Sequence, residues 1–139
     1  MVHIQLPFPY PLHMIFISSV GILGGGNSEA QVSNVLMDKA KLIGTTIGVR
    51  IKTWIRGSGN VDNIVFQNIK MENVKNPIII DQNYCDQETP CKEQNSAVQI
   101  RNIVYRNITG MSATKMTTIF KCSKTLPCQG IMLKDINLV

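Results

Sequence analysis

Residues 61–67 read VDNIVFQ, and three other segments read much the same: VSNVLMD at 32–38, IRNIVYR at 100–106 and, more loosely, QGIMLKD at 129–135. Anchored on Asn34, Asn63, Asn102 and Gly130, the copies recur at intervals of 29, 39 and 28 residues. A second strand-like stretch follows each of the first three anchors at a nearly constant distance. Arg50 of GVRIKTW lies 16 residues after Asn34, Ile79 of NPIIIDQ 16 after Asn63, and Ile119 of MTTIFKC 17 after Asn102. Each repeat therefore reads strand, turn, strand, turn, with no helix-period stretch. A fixed period in this range marks a solenoid. Short β-branched strands with polar turns predict an all-β chain wound as a parallel β-helix of about four coils, each coil pairing with its neighbours. Val35, Ile64, Ile103 and Ile131 are expected to stack inside, and the anchor asparagines to bond from coil to coil as stacked amides do. An antiparallel sandwich also has many short strands, but its strands do not usually repeat their sequence at matched offsets.

The chain has 139 residues, enough for one domain, and 44% of them are hydrophobic. Only 6% are aromatic, so the apolar mass is mainly Ile, Val, Leu and Met, which favours β packing. The net charge of +5 is dispersed from Lys39 to Lys134 rather than gathered in a tail. Such a surface suits an acidic partner. No alternation of basic and aromatic residues and no nucleic-acid module appears, and no apolar run is long enough to span a membrane.

Four cysteines fall in two close pairs, Cys85 with Cys91 around DQETP and Cys122 with Cys128 around SKTLP. Metal ligation favours shorter C-x-x-C spacing and histidines, and His3 and His13 are remote in sequence. The alternative to two short disulfides is four free thiols in a cytosolic protein. The disulfide reading is preferred and implies a secretory, extracellular setting. The first pair accounts for the long interval between repeats, as about ten extra residues in a closed loop. Asn107-Ile108-Thr109 is a sequon for N-glycosylation and points the same way.

GVRIKTW at 48–54 poses a separate question. On a strand, side chains two apart share a face, so Arg50 and Lys52 face one way and Ile51 the other. Two like charges side by side are either a solvated face or a site for an anion. Trp54 is assigned to packing between coils, and GGGNS at 24–28 to a turn, since no Gly-Lys-Ser/Thr follows it. Residues 1–20, MVHIQLPFPYPLHMIFISSV, are Pro-rich and then apolar. They make a poor signal peptide and are expected not to belong to the fold, which is assigned to residues 21–139.

VSNVLMDKAKLIGTTIGVRIKTW, NIVFQNIKMENVKNPIIIDQNYCD and the two CxxxxxC loops together resemble the C-terminal part of plant polygalacturonases of glycoside hydrolase family 28, from about Gly21 to Val139. The resemblance implies a right-handed parallel β-helix and an enzyme that hydrolyses α-1,4-galacturonosyl linkages of pectin with inversion. It implies no cofactor or metal, an acidic polysaccharide as partner, and a secreted, cell-wall, monomeric protein. Arg-Ile-Lys is a signature of that family, so Arg50 and Lys52 are expected to bind substrate carboxylates, and Tyr84 to line the same cleft. The planar Arg fork suits a two-point contact and the Lys ammonium a point charge.

The family's chemistry needs one carboxylic acid and one carboxylate, supplied by Asn-Thr-Asp, Asp-Asp and Gly-His-Gly motifs. The sequence has no Asp-Asp pair and no Asp before Asp38, and Phe16 falls where the motif histidine belongs; His13 lies three positions early. Asp38, Asp62, Asp81 and Asp86 are set aside as replacements, because nothing in the sequence brings two of them to the cleft. The expectation is a truncated polygalacturonase, inactive alone. The alternatives are a non-catalytic pectin-binding or vestigial β-helix and, less favoured, a structural β-solenoid without sugar specificity.

Overall fold

The computed structural model of the chain describes residues 2–5, 19–23, 29–85, 89, 91, 92 and 96–139. Nine strands follow one another without a helix among the described residues: β1 (Val2–Gln5), β2 (Ser19–Leu23), β3 (Glu29–Ile43), β4 (Val49–Trp54), β5 (Ser58–Val74), β6 (Ile78–Tyr84), β7 (Gln99–Ser112), β8 (Thr118–Lys121) and β9 (Gln129–Leu138). They form a five-stranded sheet in the order β1-β3-β5-β7-β9 and a four-stranded sheet in the order β2-β4-β6-β8. Every pairing is parallel. The chain alternates between the sheets, so each coil adds one strand to both. This is the parallel β-helix that the repeat predicts, and parallel pairing excludes the sandwich.

The register follows the sequence repeat residue by residue. Val35, Ile64, Ile103 and Ile131 are successive partners in one sheet. Arg50, Ile79 and Ile119 are successive partners in the other. Above β3 the backbone of Val2–Gln5 pairs with Val35–Asp38. The rest of segment 1–20, apart from Ser19 and Val20, lies outside the described residues.

The long strands bend around the core, and the bends have a simple cause. In β5 the fully buried side chains are Val61, Ile64, Phe66, Ile69, Met71 and Val74. The inward spacing alternates between three and two, where a flat strand would keep two throughout. Each step of three contains an asparagine in the left-handed region: Asn63 at φ 56°, Asn68 at 55° and Asn73 at 54°. Asparagine tolerates this conformation far better than β-branched residues do. The extra residue turns the chain and returns the next apolar side chain to the interior, as a bulge does. Asn34, Lys39, Asn102, Asn107, Gly130 and Asp135 repeat the arrangement in the other coils. Gly130 fits the loosest copy because glycine adopts positive φ without cost.

The core fills the space between the sheets. Met37, Phe66 and Tyr105 are consecutive partners and fully buried. Phe66 and Tyr105 stack with ring centroids 5.3 Å apart, an arrangement that adds to their burial.

Candidate functional site

β4 carries the two cations, and its placement is tight. Gly48 N donates to Asn76 O and Val49 N to Pro77 O, each at 2.8 Å. A Cβ at Gly48 would lie 2.2 Å from Pro77 O, so only glycine lets the two coils close at this point. From there β4 alternates strictly, with Val49, Ile51 and Thr53 buried and Arg50, Lys52 and Trp54 half-exposed. Arg50 and Lys52 thus share the outer face, as strand geometry requires.

β6 lies alongside with Ile78, Ile80 and Gln82 buried and Asp81 facing out opposite Lys52. The register then shifts: Lys52 pairs with Asp81, but Trp54 pairs with Tyr84. One extra residue in β6 brings the Tyr84 ring back to the outer face. Lys52 Nζ sits 3.9 Å from the centroid of that ring, within cation–π range. The Trp54 ring stands 5.3 Å from Tyr84 on the same row, tilted by 58°. The structure therefore brings together Arg50, Lys52 and Tyr84, and Trp54 packs coil against coil through Tyr84.

The outer face sets two cations beside one carboxylate. Burial holds the Lys52 ammonium below the usual lysine range, the Arg50 charge pushes it the same way, and Asp81 opposes them. The Asp81 carboxylate is fixed locally, Oδ1 accepting from Asn83 N at 2.9 Å. Among the described strands of this sheet Asp81 is the one carboxylate on the outer face. Asp38 and Asp62 lie on the other sheet. Asp38 accepts from Asn68 at 2.8 Å, and Asp62 accepts from Asn102 at 2.8 Å and pairs with Arg101 at 3.2 Å. Asp86 lies outside the described residues. An acid–base pair for inverting hydrolysis needs two carboxyl groups spaced to admit a water, and these strands present one.

Gln82 is a residue the sequence reading passed over. Its side chain is fully buried and bonded on both ends. Nε2 donates to Val98 O at 2.8 Å and to Leu126 O at 3.0 Å, while Oε1 accepts from Ser123 N at 2.7 Å. Both cysteine pairs are joined, Cys85 to Cys91 and Cys122 to Cys128. Gln82 thus ties the Cys122–Cys128 loop beneath the end of β6, and the Cys85–Cys91 bridge closes the chain immediately after Tyr84. The signal was present: alternation along PIIIDQNY turns Gln82 inward with Ile78 and Ile80, and a buried amide must find partners.

The amide ladder expected at the anchors is formed in part. Asn63 Nδ2 donates to Asn34 Oδ1 at 2.7 Å, but Asn102 donates to the Asp62 carboxylate rather than to Asn63. The charged acceptor makes the stronger bond. A second ladder lies five residues further along: Asn107 donates to Asn68, and Asn68 to Asp38, each at 2.8 Å. The sequon asparagine is therefore exposed at a ladder end.

The chain matches the model of the glycosyl hydrolases family 28 over residues 13–139. Polygalacturonase-2 of Solanum lycopersicum is 60% identical over 121 residues, 87% of this chain and 26% of the relative. A polygalacturonase of Persea americana is 58% identical over the same length, covering 87% and 26%, and Polygalacturonase QRT2 of Arabidopsis thaliana is 56% identical, covering 87% and 28%. The chain spans about a quarter of the length of these curated relatives. With the repeat, the parallel coils and the Arg50–Lys52 strand all in agreement, the chain belongs to glycosyl hydrolases family 28.

Proposed function

We propose that these 139 residues form the part of a polygalacturonase cleft that holds the carboxylates of α-1,4-linked galacturonate. The carrying observation is the pair Arg50 and Lys52, side by side on one outer face with Tyr84 against Lys52 at 3.9 Å. Arg50 offers a two-point contact to a carboxylate and Lys52 a point charge, and an arriving anion relieves their repulsion. The relatives are polygalacturonases, which supports pectin as the partner, and the paired cysteines support a secreted, cell-wall setting. The exposed sequon asparagine, Asn107, is proposed as a glycan acceptor.

The chain by itself is proposed to bind without turnover. The Asp-Asp and Gly-His-Gly motifs do not occur in the sequence, and positioned proton-transfer groups each contribute roughly 10²–10⁴-fold to rate. The same observation favours a second reading, a non-catalytic pectin-binding or vestigial β-helix. Two measurements on purified protein test these readings together: reducing-sugar release from polygalacturonate, and calorimetric binding of oligogalacturonate. Binding without release is expected, and release free of contaminating enzyme would overturn the inactive reading. Arg50→Ala should weaken binding about tenfold, since a bond to a charged group contributes about 1.5–3 kcal/mol, and Lys52→Ala less. If Lys134→Ala on the distant β9 costs as much as either, diffuse charge attracts the polymer and the site is not specific.

A further inference from the structure

We propose that Lys121 is a second carboxylate-binding position of this cleft, two sugar units along the polymer from Lys52. The inference rests on the reading of the Arg50–Lys52 face as a galacturonate site. Lys52, Asp81 and Lys121 are successive register partners in β4, β6 and β8. β8 takes its facing from its register with β6, where Phe120 pairs with inward Ile80 and Lys121 with outward Asp81. The Phe120 ring stacks on buried Tyr105 at 6.3 Å, so Phe120 turns to the inner side of the sheet although this outermost described strand leaves it partly exposed, and Lys121, exposed, turns to the side of Lys52 and Asp81. One outer row therefore carries plus, minus, plus across three coils.

Strand spacing gives this row its meaning. Neighbouring strands lie roughly 4.8 Å apart, which puts the backbones of Lys52 and Lys121 roughly 10 Å apart. A 1,4-linked pyranose chain advances by a length close to one strand spacing per unit. A chain laid along the solenoid axis thus keeps about one sugar per coil. The middle unit lies over Asp81, whose carboxylate is held in place by Asn83 N at 2.9 Å. That charge repels a sugar carboxylate and accepts from a sugar hydroxyl. A polyuronate whose successive carboxylates point to opposite sides meets both demands. Its first carboxylate pairs with Lys52, the next unit turns a hydroxyl to Asp81, and the third pairs with Lys121. Ile79 and Ile119, half-buried in the neighbouring row below Arg50, supply an apolar ledge for sugar C–H groups.

The test compares oligomers by length. Trp54, the single tryptophan of the chain, stands 5.3 Å from Tyr84 and reports binding by its emission. Wild-type protein, Lys121→Ala and Lys134→Ala are titrated with di-, tri- and tetragalacturonate at low salt. Lys121→Ala should leave digalacturonate affinity unchanged and weaken the tri- and tetramer about two- to five-fold, the range of an exposed ion pair. Lys121→Glu should weaken them further, and the Lys134 variant should show no dependence on length. If Lys121→Ala binds every length as wild type does while Arg50→Ala still loses affinity, the Lys121 position is wrong and the Arg50 site stands. An equal loss at all lengths also overturns it. If wild type binds none of the three oligomers, both readings fall.

Discussion

On the five-stranded sheet, Asn107, Asn68 and Asp38 pass hydrogen bonds from coil to coil at 2.8 Å, and Lys41 pairs with Glu72 at the same distance. On the four-stranded sheet, Arg50 and Lys52 share a face, and burial and the neighbouring Arg50 charge both disfavour the Lys52 ammonium. One repeat thus handles polar side chains in opposite ways on its two sheets. The first sheet satisfies them internally, which fixes register and stability. The second sets two cations beside each other on an outer face, with Asp81 and the Tyr84 ring against Lys52. The contrast makes a separable claim: ladder residues should govern folding and leave binding alone, and outer-row residues should do the reverse.

Gln82 bridges the two regimes, so its loss gives the largest expected effect. Gln82→Leu leaves Ser123 N–H and the carbonyls of Val98 and Leu126 without partners. Orphaned buried groups cost about 1–3 kcal/mol each when nothing relaxes, and a net loss of about 3 kcal/mol is expected. The urea midpoint gives the stability, and Trp54 emission shows whether Tyr84 has moved. An unchanged Trp54 signal with full loss of stability would mean that Gln82 serves the core and not the site. Asn68→Ala comes next. It removes a donor to Asp38 and an acceptor for Asn107, and puts a Cβ-bearing residue without an amide at φ 55°. About 2 kcal/mol of stability should go, with oligogalacturonate affinity unchanged. Asn68→Gly should recover the conformational share and not the hydrogen bonds. Affinity falling in step with stability in the Asn68 variants would break the separation.

The contrast also shows how far the sequence could be read. The matched offsets of Arg50, Ile79 and Ile119 carried the second sheet's register, because in a parallel solenoid sequence period and spatial neighbour coincide. Val35, Ile64, Ile103 and Ile131 did the same for the first sheet. The second ladder was in the letters too: five residues after each anchor stand Lys39, Asn68, Asn107 and Asp135, all at positive φ. It was missed because a period-two expectation has no place for a left-handed residue within a strand. Asn102 bonding to Asp62 was not legible, since the choice between acceptors one residue apart depends on side-chain geometry. The Arg50–Lys52 face followed from alternation alone. The approach of Tyr84 needed the one-residue shift in β6, which no letter of PIIIDQNY announces.

Lys52→Met tests the outer row by a gain. The substitution keeps the stem of the side chain and removes the charge. With burial and Arg50 both opposing the ammonium and Asp81 the one charge favouring it, stability at neutral pH should rise by a few tenths of a kcal/mol after solvent screening, while oligogalacturonate affinity falls. The sign has a pH signature. The folded pKa of Lys52 lies below the unfolded one, so the penalty is fully present below the folded value and vanishes once pH passes the unfolded value near 10.4. The stability difference between wild type and Lys52→Met should therefore close in strong alkali. A variant less stable than wild type at pH 7 would show that the Lys52–Tyr84 contact at 3.9 Å outweighs the repulsion.

The smallest effect falls on the ladder side and works in acid. The Asn102 amide bonded to Asp62 holds that carboxyl below the usual aspartate range; burial opposes the shift, and the Arg101 guanidinium assists it. A depressed folded pKa contributes stability above the unfolded value, about 3.9 for aspartate, and loses it as pH falls through the folded value. Protonation of Asp62 takes away the charge that Arg101 pairs with and weakens the acceptor that Asn102 uses. Asp62→Asn keeps an acceptor oxygen for Asn102 but never carries the charge. Wild type should therefore be the more stable at pH 5 by urea midpoint, and the two should converge below about pH 4. A difference that stays constant from pH 5 to pH 3 would place the role of Asp62 in shape rather than charge. The link between β5 and β7 at this point would then be of the same neutral kind as the one between Asn63 and Asn34.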